Sequence, residues 1–92
     1  MSDDVRARVY VTGRVQGVFF RASCRDVGVA LDLRGWVRNA GDGGVEAVAE
    51  GPREKVEELI RWCHQGPTAA RVAGVRIEWE PPQDEKPFHV TS

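Results

Sequence analysis

A small α+β sandwich, with two helices on one face of a mainly antiparallel sheet, is what this 92-residue sequence predicts. Three observations carry that expectation. Stretches with alternating apolar residues, and stretches where they recur three and four apart, follow one another as β-α-β-β-α-β with a short strand at the end. The cluster Ala40-Gly41-Asp42-Gly43-Gly44 falls between the second and third strand patterns, where it signals a hairpin. Gly51-Pro52 and Gly66-Pro67 bracket the second helical pattern. The order is that of the split βαβ, or ferredoxin-like, arrangement. The length suits a single domain, residues 1–92, with one two-layer core.

The first strand spans Val5 to Thr12, with Val5, Ala7, Val9 and Val11 on the buried face and Arg6, Arg8 and Tyr10 on the other. The first helix, about Phe20 to Leu31, carries Phe20, Cys24, Val27 and Leu31 at helical spacing. A second strand from about Leu33 to Asn39 and a third from Val45 to Glu50 flank the hairpin. In the third, Val45, Ala47 and Ala49 alternate with Glu46, Val48 and Glu50, which fall on the open face of the sheet. Pro52 suits the first turn of the second helix, and Glu54 the positive end of its dipole. Val56, Leu59, Ile60 and Cys63 form that helix's inner face. A fourth strand, about Arg71 to Glu80, turns Val75, Ile77 and Trp79 inward, and Phe88-His89-Val90 reads as a terminal edge strand. Cys24 and Cys63 lie on inward helix faces and are expected to be buried free thiols.

Composition narrows the function. An apolar fraction of 41% with 29% charged residues is that of an ordinary globular protein. No apolar run approaches membrane-spanning length, and MSDDVRARVY lacks a basic segment followed by an apolar core. A cytoplasmic protein without a secretory signal is therefore expected. A net charge of −1 supplies no bulk basic field for nucleic acid or an anionic membrane, so neither is expected as a partner. Eleven of the thirteen cations are Arg, Lys55 and Lys86 being the exceptions. The planar fork of Arg suits phosphate or carboxylate, although compositional bias accounts for most of them. Neither cysteine sits in metal-ligand spacing, and only His64 and His89 remain as imidazoles, so no metal or other cofactor is expected. His64 favours the end of the second helix, and His89 reads as a solvated edge residue.

The stretch GRVQGVFFR, Gly13 to Arg21, joins the first strand to the first helix. A helix N-terminus presents unpaired N–H groups and the positive end of the dipole. Gly13 and Gly17 allow successive N–H groups to converge in a nest, and Arg21 can add a bidentate fork to the same point. Val18 and Phe20 would fix the loop to the core. Alone, such a loop reads more readily as a turn followed by a solvated arginine. A second segment tips the balance.

Gly13 to Arg21 resembles the first signature of acylphosphatases, and GWVRNAGDGGVEAVAEG, Gly35 to Gly51, resembles their second. Gly35, Trp36, Asn39, Gly43, Val45 and Gly51 stand at that family's spacing. Gly66-Pro67 and the Phe-x-Val of Phe88 to Val90 extend the likeness over nearly the whole chain. The resemblance implies hydrolysis of small acyl phosphates to a carboxylate and inorganic phosphate, by a monomer and without a metal. It further implies that Arg21 and the backbone N–H groups of Val15, Gln16, Gly17, Val18, Phe19 and Phe20 bind the phosphoryl group. Asn39 would orient the attacking water. Family members often end in an aromatic residue after the Phe-x-Ile/Val pattern, with the carboxylate near the arginine; here Thr91-Ser92 follow instead.

The motifs contain no obvious general acid, which suits a carboxylate leaving group and not an alkoxide. Two other readings are weaker. RNA-recognition modules share the element order and stack bases on aromatics of the first and third strands, whereas Glu46, Val48 and Glu50 offer repulsion and nothing to stack on. A phosphate-sensing module needs no water-positioning amide, so the presence of Asn39 counts against it.

Overall fold

Residues 3–92 are described by a computed structural model; Met1 and Ser2, part of the stretch read for a secretory signal, lie outside the described residues. The elements come in the expected order: β1 (Asp4–Arg14), α1 (Phe20–Ala30), β2 (Arg34–Asn39), β3 (Val45–Pro52), α2 (Arg53–Gln65), β4 (Arg71–Glu80) and β5 (His89–Val90). The sheet order is β4-β1-β3-β2-β5. Neighbours pair antiparallel except β2 and β5, which are parallel. This is the ferredoxin-like sandwich.

Alternation in β1 places Ala7, Val9 and Val11 against the helices, and the same period in β3 adds Val45, Ala47 and Ala49. From the helix layer, Phe20, Cys24, Val56, Leu59 and Cys63 meet them, all at most 1% exposed. Each fully buried Val or Leu contributes roughly 1.5–3 kcal/mol. An isolated helix of 11 residues is marginal in water, so α1 depends on this packing more than on its propensity. Cys24 and Cys63 are free and buried. The neighbouring Cys63 thiol and burial together push the Cys24 thiol up, away from the reactive thiolate.

Several boundaries differ from expectation, each for a physical reason. β1 continues to Arg14 because Gly13 sits in a bulge opposite β4, with the register shifting between Thr12 and Gly13. A Cβ at Gly13 would stand 2.2 Å from the Arg71 carbonyl oxygen, so this glycine serves close strand approach and not the anion nest. α1 stops at Ala30, one residue short of Leu31, which caps it through its own N–H. β2 starts one residue late, at Arg34. Pro52 ends β3 and caps α2, where a first-turn position was expected. Trp79 keeps its place on the helix side of β4 but is 45% exposed; at the rim, Arg53 stacks 4.2 Å from its ring centroid. Phe88 precedes β5 and does not join it. Its buried ring rests on Gly28 of α1, where an added Cβ would lie 2.5 Å away.

The open face of the sheet departs most from expectation. Glu46, Val48 and Glu50 point away from the helices, yet Glu46 is 5% exposed and Glu50 3%. Arginines and the β4–β5 connection cover them. Arg6 donates to Glu50 at 2.5 Å, Glu80 at 2.8 Å and Glu85 at 2.9 Å. Arg8 reaches Glu46 and Glu80, and Arg38 reaches Glu46. Glu50 also accepts from the backbone N–H groups of Gln83 (2.7 Å) and Glu85 (3.1 Å), so one carboxylate holds residues 83–85 over the sheet. Trp36 lies beneath the guanidiniums of Arg8 and Arg38, at 5.8 and 5.4 Å.

Burial alone would raise the Glu46 carboxyl, but hydrogen bonds from Arg38 and Arg8 outweigh it and hold it below the usual carboxylate range. Burial is likewise overcome at Glu50, by the Gln83 N–H, Arg6 and the Glu85 N–H. Glu80 is lowered by Arg8 and Arg6. Groups lowered in the folded state add stability that is complete above their unfolded pKa, about 4.3, and lost as pH falls through the lower folded value. The urea midpoint should thus stay flat from about pH 6 to 8 and drop below about pH 4. A midpoint unchanged down to about pH 3 would mean the network adds no net stability.

Candidate active site

The loop between β1 and α1 is short and irregular, spanning Val15 to Phe19. Gly17 has a φ of 73° and open space around the missing side chain. Phe19 caps α1 in the left-handed region, φ 63° and ψ 20°, which costs a non-glycine residue about 1–2 kcal/mol. No side chain caps the helix, and its first turn holds no acidic residue. Among the described residues, the backbone N–H groups from Gln16 to Ala22 have no protein partner; the next, of Ser23, bonds the Phe19 carbonyl at 3.0 Å. A row of donors therefore faces outward at the positive end of the helix dipole.

The loop is held open from both sides. Val15 and Phe20 are each 1% exposed, and Val18 packs against the core. The Phe20 ring meets Trp62 of α2 at 5.1 Å. Gln16 fixes the other flank: its amide nitrogen donates to the Ala40 carbonyl at 2.9 Å and the Gly44 carbonyl at 2.8 Å. Ala40 directly follows Asn39, so this clamp ties the loop to the hairpin end that carries Asn39. The hairpin is itself closed by Ala40 N–H to Gly44 O and by Gly44 N–H to the Asp42 carboxylate.

A cleft of about 390 Å³ opens over the helix start. Val15, Gly17, Phe19, Phe20 and Arg21, all expected at the site, line it, and no carboxylate does. Gln16, Val18 and Asn39 are not in its wall. Gln16 and Val18 turn their side chains to the hairpin and the core, and Asn39 ends β2 beyond the clamp, exposed. Arg14, Arg21, Arg61 and Arg71 have no ion-pair, hydrogen-bond or ring partner among the described residues, and of these Arg21 alone lines the cleft. Three further residues of the wall, Ala22, Arg25 and Val90, were not anticipated. Arg25 follows Arg21 by one helical turn, a spacing visible in the sequence. Val90 arrives through β5, held by pairing of Val90 with Val37 and by Phe88 on Gly28.

The Acylphosphatase family model matches residues 7–90. The chain belongs to the acylphosphatase family. An acylphosphatase of Anaeromyxobacter dehalogenans is 60% identical over 82 residues, which is 89% of this chain and 88% of that protein. One of Natronomonas pharaonis is 52% identical over 90 residues, 98% of each chain. The solved acylphosphatase of Coxiella burnetii superposes with a TM-score of 0.91 at 41% identity, covering 96% of this chain and 93% of that one. The family match takes in both signature stretches, Gly13 to Arg21 and Gly35 to Gly51.

The side chain of Gln16 is the acylphosphatase feature that sequence reasoning missed, since only its N–H was expected to act. Gln16→Leu removes two hydrogen bonds while leaving the Ala40 and Gly44 carbonyls in place. We expect it to cost about 1–2 kcal/mol in urea unfolding and to lower kcat/KM on benzoyl phosphate by about ten- to a hundredfold, because the loop then drifts from Asn39. Full activity would show that the loop and hairpin keep their relation without the clamp.

Proposed function

We propose that the chain hydrolyses small acyl phosphates to a carboxylate and inorganic phosphate, with the β1–α1 loop as the phosphoryl cradle. The observation that carries this reading is a cleft with no carboxylate in its wall, lined by Val15, Gly17, Phe19, Phe20 and Arg21 at a helix start whose N–H groups from Gln16 to Ala22 have no protein partner among the described residues. Membership of the acylphosphatase family supports it.

The N–H groups of Val15, Gln16, Gly17, Val18, Phe19 and Phe20 and the guanidinium of Arg21 hold the phosphoryl oxygens. They take the electrostatic role that a metal ion plays in other phosphoryl transfers. Asn39 is neutral at working pH and cannot act as a base. Its side-chain carbonyl accepts from the attacking water while its NH₂ donates to a phosphoryl oxygen, setting water in line with phosphorus. The water oxygen bonds to phosphorus as the bond from phosphorus to the bridging oxygen breaks. The electron pair of that bond leaves on the carboxylate, and the water proton passes to a phosphoryl oxygen.

A carboxylate, with a conjugate-acid pKa of about 4, departs without a proton. An alkoxide does not, and no Asp, Glu or His lines the cleft to supply one. The same reading makes the protein a cytoplasmic monomer acting on a small metabolite, with no nucleic-acid or membrane partner. Among the described residues no helix is long and apolar enough to cross a membrane.

Phosphate release from benzoyl phosphate in EDTA, with p-nitrophenyl phosphate as the monoester control, tests the proposal. Turnover of the first and almost none of the second is expected. A folded but inactive protein would replace the enzyme reading with that of a phosphate-binding module.

A further inference from the structure

We infer that Arg25 reads the far end of the acyl group, so that the cleft prefers acyl phosphates bearing a second anionic group, carboxylate or phosphate, about one helical turn from the reacting phosphoryl. The inference rests on the phosphoryl-cradle reading given above and names the substrate class of that same site.

The cleft volume, about 390 Å³, lies within the range of small-molecule sites, about 300–1,000 Å³, and a phosphoryl group alone leaves much of it empty. What fills the remainder is set by the wall. Beyond Arg21 that wall is Phe19, Ala22, Arg25 and Val90. Phe19 is 81% exposed, held outward by its left-handed backbone, and with Ala22 and Val90 it offers apolar surface to a short methylene chain. Arg25 is the second charge in that wall.

Residues four apart on a helix are neighbours, and one turn rises about 5.4 Å. Arg21 and Arg25 both line the cleft, from backbone positions about one turn apart. In a monosuccinyl-type substrate, five bonds separate phosphorus from the far carboxylate carbon, roughly 6 Å when extended. A second anion at that distance is comparable with the one-turn step between the two arginine positions.

Arg25 is also available. Its partner is the adjacent Asp26, at 3.1 Å, with side chains 46% and 71% exposed. An exposed pair between successive residues, which do not face each other on a helix, holds a guanidinium weakly. By contrast, Arg6, Arg8 and Arg38 are committed to Glu46, Glu50, Glu80 and Glu85 on the opposite face of the sheet. With Arg21 it gives the cleft two cations and no acid in its wall, inside a chain whose net charge is −1.

The test compares monosuccinyl phosphate with 4-methylpentanoyl phosphate, its uncharged isostere, by the ratio of kcat/KM values. For the native chain at low salt the ratio should favour the succinyl compound. Arg25→Gln should lower it roughly five- to tenfold, about the worth of one charge-assisted hydrogen bond at a partly open site, with the change mainly in KM. Arg25→Lys should recover most of the ratio, and Arg25→Glu should invert it. Raising salt from about 0.02 to 0.5 M should shrink the native preference and leave that of Arg25→Gln flat. If both compounds are hydrolysed with a ratio indifferent to all three substitutions, the role of Arg25 is overturned and the cradle stands. Hydrolysis of neither compound by the native chain overturns both.

Discussion

Arg21→Ala is expected to lower kcat/KM on benzoyl phosphate by at least about 10³-fold, as removal of a transition-state arginine or oxyanion donor does elsewhere. Its melting temperature should stay within a few degrees of the native value. The two halves of this expectation come from the same observation. Arg21 is exposed and has no partner among the described residues, so the fold loses nothing when it is removed. The cleft, however, loses the one cation that stands at the row of N–H groups without any competing partner. Asn39→Ala supplies the contrast. It should act mainly on kcat and weaken competitive inhibition by inorganic phosphate only slightly, by one neutral donor, whereas Arg21→Ala should weaken that inhibition strongly. An Arg21→Ala protein keeping more than about a tenth of native kcat/KM would remove the arginine from the phosphoryl site.

Arg6→Ala is expected to be the most damaging single change to stability. Arg6 is 2% exposed and bonds three carboxylates, of which Glu50 is itself 3% exposed. Removing one partner of a buried pair costs about 3–5 kcal/mol, because the remaining charge is left without compensation. In a domain of this length each kcal/mol shifts the melting temperature by about 4–8 °C, so a fall of at least about 12 °C is expected. Calorimetry on Arg6→Ala checks it, alongside the double replacement Arg6→Met with Glu50→Leu. The double variant should recover only part of the loss: exchanging a buried pair for apolar groups is often near neutral, but here the Gln83 and Glu85 N–H groups lose their acceptor and Glu80 and Glu85 lose Arg6. Because the network lies across the sheet from the helices, activity per folded molecule should survive in Arg6→Ala below its transition. A drop of under about 3 °C would mean that water already screens the pair.

What the sequence made legible was pattern, and what it hid was coverage. Periodicity assigned Val5 to Val11 of β1 and Val45 to Glu50 of β3 to the correct face, because alternation follows directly from the pleat. It could not tell that the outward set, Glu46, Val48 and Glu50, is buried. That follows from Pro81 to Pro87 folding back, a stretch that reads only as turn and whose place depends on Glu50 accepting its backbone N–H groups. Gly13 was legible as a glycine needing room, but two kinds of crowding ask for the same residue; it meets the Arg71 carbonyl, while Gly17 alone shapes the loop.

In the cleft wall, Val15, Gly17, Phe19, Phe20 and Arg21 belong to one contiguous motif, whose geometry is local. The clamp from Gln16 to Ala40 and Gly44 spans more than twenty residues and leaves no periodic trace. The edge strand that carries Val90 was legible, but its parallel pairing with β2, which brings Val90 to the cleft, leaves no trace in the sequence.

The ends of the sheet have a consequence for the protein at high concentration. β4 and β5 are the outer strands, and each leaves one row of backbone groups unpaired by the sheet. Such rows recruit other chains and seed aggregates. β5 offers only two residues, too short a template to extend. β4 offers ten, but Arg71, Arg76, Glu78 and Glu80 are spread along them, so a docking strand would have to strip water from charges of both signs. One border is guarded by brevity and the other by hydration, and both disfavour edge-to-edge pairing between crowded copies.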